Sequence, residues 1–190
     1  MNNEKCDKKE AIFNSTLKLI TENGFDATPI SLIAKDAGVA AGTIYIYFKD
    51  KRALINELYL ELKEDLTKAV IDNYNPGLSI RVGLELIYRN YLNFMLQNSA
   101  KFRFFEQFTS SPYIDKLTKE EGLRIFHPVI DIFEKAKKEK MIKNIPNEII
   151  YAQVFSPLSN LVRQQINGQF EFNEETIEIT FQVCWDAIKS

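Results

Sequence analysis

The sequence predicts an all-α fold of about nine helices. Apolar residues recur every three to four positions along almost the whole chain, and no stretch alternates between apolar and polar residues as a half-buried strand would. Clusters of Gly, Pro and Asn separate the helical stretches. With 45% hydrophobic and 26% charged residues among 190, the composition is that of a globular chain long enough for one or two domains.

The same composition argues against several classes of protein. No apolar run approaches the roughly 20 residues that would cross a bilayer, and the polar N-terminus lacks the apolar stretch of a signal peptide. The two cysteines, Cys6 and Cys184, lie near opposite ends of the chain, without the spacing of a metal site or a disulfide framework. We therefore expect a cytoplasmic protein that has no cofactor, no metal and no membrane contact.

Glycine follows each of the first two predicted helices, and the second of them is short. The first has an apolar face formed by Phe13, Leu17 and Ile20. It ends at Asn23-Gly24, because glycine tolerates the left-handed backbone of a helix C-terminus. Thr28 is the expected N-cap of the second helix and Pro29 its first residue. We expect that second helix to end at Gly38.

Residues 30–49 have the pattern of a helix-turn-helix. Ala34 is small enough for a second helix to cross closely, Gly38 can take a positive φ at the turn, and Ile44 fills the angle between the helices. The second helix, near residues 41–48, would then place its N-terminal residues against base edges in a major groove. The alternative is that two short helices joined by glycine are simply part of a helical bundle.

Longer helices follow the helix-turn-helix. Asp50 is the expected N-cap of a helix with one apolar stripe, and Asn73–Gly77 is a turn cluster that ends it. The stripe consists of Leu54, Leu58, Leu62, Leu66 and Val70. Further helices are predicted near residues 79–98, 101–110, 113–141, 146–167 and 173–188. Pro128 and Pro157 are expected to kink or divide the helices that contain them.

The near-neutral charge indicates that any binding to nucleic acid depends on a local surface and not on the charge of the whole chain. The net charge is −2, and residues 1–52 contain eight Lys or Arg against seven Asp or Glu. Tyr45 and Tyr47 flank Ile46, and at least one of the two phenols should face solvent beside the lysines. An exposed phenol near Lys51 would make a reasonable set of phosphate contacts. For Lys49 a solvated surface charge is the favoured interpretation.

The segment from Ala11 to about Leu58 resembles the N-terminal domain of tetracycline-repressor-type (TetR) transcriptional regulators. The matching residues are Asn23-Gly24-Phe25, Thr28, Ile33-Ala34, Ala37-Gly38-Val39, Gly42-Thr43-Ile44-Tyr45 and Tyr47-Phe48-Lys49-Asp50-Lys51. The resemblance implies a helix-turn-helix domain over residues 1–52 and a helical ligand-binding and dimerisation domain over residues 53–190. It also implies a homodimeric repressor that binds a palindromic operator on double-stranded DNA and is released by a small molecule.

The resemblance also implies roles for individual residues. Phosphate contacts would come from Thr28, Tyr47 and Lys51. The residues facing the groove would be Ala41, Gly42, Thr43 and Tyr45. One departure from the family pattern is that Ala40 and Ala41 stand where relatives often have polar side chains. This leaves Thr43 and Tyr45 as the main side-chain readers, with methyl contacts from the alanines to thymine.

The C-terminal part is rich in aromatic residues, ten of which fall between Tyr88 and Phe133. A concave site with apolar walls and a few polar groups is typical of small-molecule pockets. The predicted ligand-binding residues are Tyr88, Tyr91, Phe102, Phe105, Glu106, Phe108, Phe126 and His127. The alternative is that these aromatics form the core. His127, the only histidine, lacks the partners of a metal site and is expected to pack or to donate a hydrogen bond.

The last predicted helix begins at Asn173, a good N-cap, and carries one apolar stripe. The stripe consists of Ile177, Phe181, Cys184, Trp185 and Ile188. By resemblance, the last two helices of each subunit form an intersubunit four-helix bundle, which makes this stripe the predicted dimer interface. Packing within the chain is the alternative. The short aromatic segment 101–110 is, by the same resemblance, the expected link between the ligand pocket and the DNA-binding domain.

Taken with the resemblance, these features favour a repressor released by a lipophilic or aromatic ligand. The alternative is a helical small-molecule-binding protein with a vestigial DNA-binding head. An enzyme has almost no support, because the chain has no Gly-x-Ser-x-Gly, Walker-type or Gly-x-Gly-x-x-Gly sequence.

Overall fold

A computed structural model describes residues 2–109 and 111–190, so Met1 and Ser110 lie outside the described residues. Ten α-helices form most of this part. They are α1 (Asn2–Asn23), α2 (Ile30–Asp36), α3 (Ala41–Tyr47), α4 (Lys51–Val70), α5 (Ile80–Gln97), α6 (Ser99–Thr109), α7 (Lys116–Ile125), α8 (His127–Lys138), α9 (Asn147–Ile166) and α10 (Glu174–Ile188). A bridge between Ile142 and Lys189 is the one extended pairing in the described ranges. The predicted all-α fold is confirmed.

The two internal prolines have different effects. Pro128 lies in the first turn of α8, and the predicted helix over residues 113–141 is divided there into α7 and α8. Proline is tolerated in a first turn because its missing N–H has no intrahelical partner in that position. Pro157 lies inside α9, which continues past it, with Val154 and Leu158 buried on either side. Burial of that apolar face therefore outweighs the backbone cost of Pro157.

Several predicted helix ends are present. The Asp50 carboxylate accepts a 2.8 Å hydrogen bond from the Ala53 N–H at the start of α4. Asn173 and Thr176 form a reciprocal capping box at α10. Gly38 adopts φ of +67°, in the left-handed region that the sharp turn after α2 requires.

The chain forms two compact units. The first contains the chain up to Lys63 together with the segment from Ala100 to Arg124, that is, α1–α3, most of α4, α6 and α7. Its core is built from apolar residues of the first four helices, Phe48 after α3 and two aromatic residues of α6. Members of this core include Ile12, Ile20, Ile33, Ile44, Leu54, Leu58, Phe104 and Phe108.

The second unit contains Glu64–Ser99 and Ile125–Ser190, that is, the end of α4 with α5 and α8–α10. Its helices bury their apolar faces against one another, and α5 and α10 both contact α9. Buried residues of this unit include Leu84, Ile87, Leu92, Val129, Phe133, Ile150, Leu158 and Phe181.

These units do not coincide with the predicted division into residues 1–52 and 53–190. The difference comes from the first half of α4 and from α6 and α7, which join the N-terminal helices in one unit. The physical reason is that α6 buries Phe104 and Phe108 in the core of that unit. A division at residue 52 follows the sequence motif, whereas the compact units follow the packing.

Two kinds of feature are absent from the described residues. No helix there is long and apolar enough to cross a membrane. No group of three or more His, Cys, Asp or Glu side chains in the described ranges is arranged to hold a metal ion. The Cys184 thiol is free and buried, while the Cys6 side chain lies outside what the structure describes.

Candidate DNA-binding surface and ligand site

The helix-turn-helix is assembled from small and apolar residues, as the sequence predicts. Ile33 and Ala34 of α2 are buried, and Ile44 of α3 is fully buried against them in one hydrophobic core. The turn between the helices is closed by the Val39 N–H, which donates a 2.9 Å hydrogen bond to the Ala34 carbonyl. The positive φ of Gly38 permits this reversal. The turn therefore holds α3 so that the side carrying Ile44 packs against the core.

The opposite side of α3 faces solvent. Ala41, Gly42 and Tyr45 are exposed, while Thr43 and Tyr47 are half-buried. The Tyr45 side chain is 56% exposed. Ile46, which received no role from the sequence, is 75% exposed and forms much of this surface. The exposure of Ile46 was predictable from the sequence, because a residue two positions after the buried Ile44 lies on the other side of a helix.

Thr28 does not have the position predicted for it. Its side chain is fully buried, and its hydroxyl donates to the Gly24 carbonyl at 2.8 Å and the Leu19 carbonyl at 3.2 Å. Pro29, not Thr28, is the N-cap residue of α2, and no side chain caps that helix end. Thr28 therefore closes the loop after α1, and its hydroxyl is not available to a phosphate in this conformation.

Lys51 is also engaged within the chain. Its ammonium donates a hydrogen bond to the Phe25 carbonyl and lies 5.4 Å from the centre of the Tyr113 ring. Burial lowers the pKa of Lys51, although the neighbouring Asp26 carboxylate opposes the shift. Lys51 therefore stabilises the loop before α2. Lys49, expected to be only a solvated charge, is the exposed lysine beside α3.

Several predicted ligand-binding residues belong to the first unit instead. Phe108 stacks on Tyr59 with ring centroids 4.2 Å apart, and Phe105 meets Tyr59 edge-on at 6.0 Å. Phe108 lies in the core that includes α1–α4, and Phe105 packs against that core. Phe102 and Glu106 lie on the same helix, α6, and Phe102 is buried. None of these four residues lines the apolar cavity of the second unit, and their ligand-binding role stays a prediction.

An apolar cavity lies in the second unit between α5, α8, α9 and α10. Its lining residues are Leu84, Ile87, Tyr88, Phe133, Val154, Phe181, Cys184, Trp185 and Ile188. The walls lie close together and leave room for about one water molecule. Of the eight predicted ligand-binding residues, only Tyr88 belongs to this lining.

Tyr88 places a polar group in this apolar surrounding. The residue is fully buried, and its hydroxyl has no hydrogen-bond partner of good geometry in the described part of the chain. Burial raises the pKa of Tyr88 to about 12. The Thr180 hydroxyl opposes this rise in the pKa of Tyr88, and the Cys184 thiol adds to it. A buried hydroxyl without a hydrogen-bond partner costs about 1–3 kcal/mol. A bound molecule that accepts a hydrogen bond from the Tyr88 hydroxyl would remove this cost.

Two other predicted ligand-binding residues, Tyr91 and Phe126, contact Phe155, an aromatic residue of α9 to which the sequence prediction assigned no role. The Tyr91 ring lies 4.8 Å from Phe155, and its hydroxyl shares a 3.1 Å hydrogen bond with Ser159. Phe126 meets Phe155 edge-on at 6.2 Å. His127 is exposed and lies 3.1 Å from the Asp131 carboxylate, and its ligand-binding role stays a prediction.

The apolar stripe of α10 is covered by the chain itself. Phe181, Cys184, Trp185 and Ile188 are buried and line the cavity, and Ile177 is half-buried. These four side chains already pack within the chain, and their predicted role in a dimer interface stays a prediction. The exposed apolar residues of α10 are instead Ile179 and Val183, which are 54% and 65% exposed.

The first unit has the architecture of a DNA-binding module, because its helix-turn-helix is fixed on a core by one side of α3 and presents the other side to solvent. Two family models cover most of the chain. Residues 12–58 match the bacterial regulatory proteins of the tetR family, and residues 84–189 match the tetracyclin repressor-like C-terminal domain. The chain belongs to the TetR family, and it is a DNA-binding transcription regulator rather than an enzyme.

Individual relatives match this chain over most or all of their length. An HTH-type transcriptional regulator of Haemophilus influenzae is 26% identical, and the match covers 100% of both chains. A TetR family transcription regulator from Marinobacter aquaeolei is 27% identical over 100% of both chains, with a TM-score of 0.93. The transcriptional regulator FadR of Bacillus subtilis, solved in complex with stearoyl-CoA, is 18% identical, covers 92% of this chain and 95% of its own, and has a TM-score of 0.70. At that identity, FadR supports the fold alone.

Proposed function

We propose that this regulator is a repressor that binds a palindromic operator as a homodimer in the cytoplasm and leaves it when a lipophilic small molecule binds. The observation that carries the DNA-binding part is the exposed side of α3, opposite the buried Ile44. Thr43 and Tyr45 are the proposed side chains at the base edges, with Ala41 and Gly42 close to the groove. Tyr47 and the exposed Lys49 are the proposed phosphate contacts.

The proposed dimer uses the outward side of α10. Ile179 and Val183 lie one turn apart and are exposed, so they present an apolar strip without cover from their own chain. Packing this strip against its copy in a second subunit would bury it and produce a twofold-symmetric pair. A twofold pair presents two copies of α3, which fits an operator with two half-sites about 34–36 Å apart.

The proposed ligand site is the cavity beside Tyr88. Its walls are apolar, and no Lys or Arg belongs to the lining. An uncharged lipophilic group with a hydrogen-bond acceptor, which accepts from the Tyr88 hydroxyl, therefore suits it best. Because the cavity has room for only about one water molecule, a ligand must widen it. A ligand of this size binds the widened conformation more tightly than the closed one. Release from DNA requires such a difference in ligand affinity between two conformations.

FadR of Bacillus subtilis shares this fold and was solved with stearoyl-CoA, and the ligand that we propose here is likewise a lipophilic molecule. The acyl chain of stearoyl-CoA is the part of that molecule whose chemistry suits an apolar cavity. We propose this class of molecule for this protein, not stearoyl-CoA itself.

The experiment is a mobility shift of the protein on the DNA upstream of its own gene, at physiological salt and with random DNA as competitor. The expected result is a specific complex that a lipophilic compound from a screen dissociates. If compounds bind and no DNA is shifted, the alternative of a small-molecule-binding protein with a vestigial head is correct. If the complex forms and no compound dissociates it, release by a ligand is wrong.

A further inference from the structure

The exposed side of α3 has an unusual chemistry for a base-reading helix. The seven residues from Ala41 to Tyr47 include no Arg, Lys, Asn, Gln, Asp or Glu. Bidentate contacts from Arg or Lys to guanine, and from Asn or Gln to adenine, are the commonest specific contacts in the major groove. This helix cannot make them. Its hydroxyl groups can bond to several bases, so they discriminate weakly.

What α3 does present is a large aliphatic side chain. Ile46 is 75% exposed, on the side of the helix opposite the buried Ile44. An isoleucine in this position contributes nothing to the core of the chain. Among the groups in the major groove, the C5 methyl of thymine is the one that an aliphatic side chain can contact with a gain in free energy.

Gly42 lies one turn before Ile46 on the same side of α3. Its φ is not in the left-handed region, and a Cβ built on it would meet no atom within 4 Å. Neither the backbone nor the packing of this chain therefore requires glycine at this position, although glycine weakens a helix relative to alanine. A helical side chain leans towards the N-terminus, so Ile46 covers the surface next to Gly42. The missing side chain of Gly42 leaves space there for a base edge.

We propose that Ile46 reads a thymine in each operator half-site by packing against its C5 methyl group, and that Gly42 permits the close approach. This inference rests on the proposed function, because it assumes a specific operator. It makes Ile46 a specificity-determining residue, in addition to Thr43 and Tyr45. It also requires an A·T pair at a fixed position of the half-site.

The test uses the full-length protein and the operator enriched by it from random DNA. Each thymine of one half-site is replaced in turn by uracil, which lacks only the C5 methyl group. At one position, the wild type should bind the uracil DNA about fourfold more weakly, the factor expected for one buried methyl group. Ile46→Ala should bind thymine and uracil DNA equally at that position and keep its response at all others.

Ile46→Thr is the matched second variant, because it keeps the β-branch and one γ-methyl group and is also exposed. It should retain part of the thymine preference. The inference is overturned if the wild type binds uracil and thymine DNA equally at every position, or if the preference persists unchanged in Ile46→Ala. If no sequence is enriched from random DNA, the proposed function itself fails, and this inference fails with it.

Discussion

The Tyr113 hydroxyl donates a 2.9 Å hydrogen bond to the Asp26 carboxylate, which joins the segment after α6 to the loop between α1 and α2. The hydrogen bond raises the pKa of Tyr113. The Tyr113 ring stacks on Phe25 at 5.3 Å, and its carbonyl accepts a 2.9 Å hydrogen bond from the Asn56 side chain. The segment between α6 and α7 is therefore fastened to both sides of the helix-turn-helix. A displacement of α6 would therefore act on the loop before α2 and on α4, which flank the helix-turn-helix in the sequence.

This relationship leads to a prediction about release by ligand. Phe105 packs edge-on against Tyr59 and is only half-buried, so Phe105→Ala should leave the core intact while loosening α6 from α4. We expect the variant to bind operator normally but to need more ligand for release. Coupling free energies of about 1–3 kcal/mol correspond to a change of roughly 5- to 150-fold. The measurement is the ligand concentration that dissociates half of the operator complex.

Phe108→Ala is the control for that experiment. Phe108 is buried in the core and stacked on Tyr59, so its removal should destabilise the chain by about 3–5 kcal/mol. It should weaken operator binding with or without ligand. If Phe105→Ala responds to ligand at the wild-type concentration, α6 has only a core role and the coupling uses another element.

A second prediction separates the two lysines near α3. Lys49→Ala should reduce the slope of log affinity against log salt concentration by about 0.9 per subunit, because one phosphate contact is lost. Its melting temperature should not change, since Lys49 is exposed. Lys51→Ala should instead destabilise the chain by about 1–2 kcal/mol, because the Phe25 carbonyl loses its donor. Salt titrations and chemical denaturation of both variants distinguish these effects. A reduced slope for Lys51→Ala alone would restore Lys51 as the phosphate contact.

A third prediction concerns the dimer. Val183→Glu places a charge on the exposed strip of α10, where burial between two subunits would leave it without a partner. We expect a folded monomer by sedimentation and a large loss of operator affinity, since one subunit engages only one half-site. Trp185→Glu should instead destabilise the monomer by at least about 3 kcal/mol, because Trp185 is buried within the chain. A Val183→Glu protein that remains dimeric would place the interface elsewhere.

A fourth prediction concerns the cavity. Tyr88→Phe removes a buried hydroxyl that lacks a partner, so it should raise the free energy of unfolding by about 1–3 kcal/mol without ligand. Tyr91→Phe is the matched control. It removes a hydroxyl bonded to Ser159 and should lower the free energy of unfolding by about 1 kcal/mol. Urea denaturation of the three proteins gives the comparison. A less stable Tyr88→Phe would mean that the Tyr88 hydroxyl has a partner and that no acceptor is needed from a ligand.

The helix-turn-helix was predictable from the sequence because its determinants are local. Ala34, Gly38 and Ile44 specify a close crossing, a left-handed turn and a filled angle within eleven residues, and all three have the predicted positions. Thr28 and Lys51 were different, because their partners are the carbonyl of Leu19 in α1 and the carbonyls of Gly24 and Phe25 in the loop after it. Residue type and position do not reveal whether a hydroxyl or an ammonium is already engaged in such a loop.

The ligand site was less predictable because it depends on contacts distant in sequence. The α6 aromatics and those near Tyr88 look alike in the sequence, yet Phe108 packs with residues of α1–α4 and Tyr88 lines a cavity with Val154 and Phe181. The stripe of α10 was correctly recognised as apolar. The sequence of α10 could not show what packs against this stripe, because an amphipathic helix has the same pattern whether it packs within a chain or between chains.

The most direct measurement compares the affinity of the protein for its enriched operator with its affinity for random DNA at physiological salt. The wild type should bind the operator at least about 10³-fold more tightly, as specific DNA-binding proteins do. Tyr45→Ala, which alters only the exposed side of α3, should reduce that ratio while leaving the affinity for random DNA unchanged. Equal affinities of the wild type for operator and random DNA would contradict sequence recognition by α3.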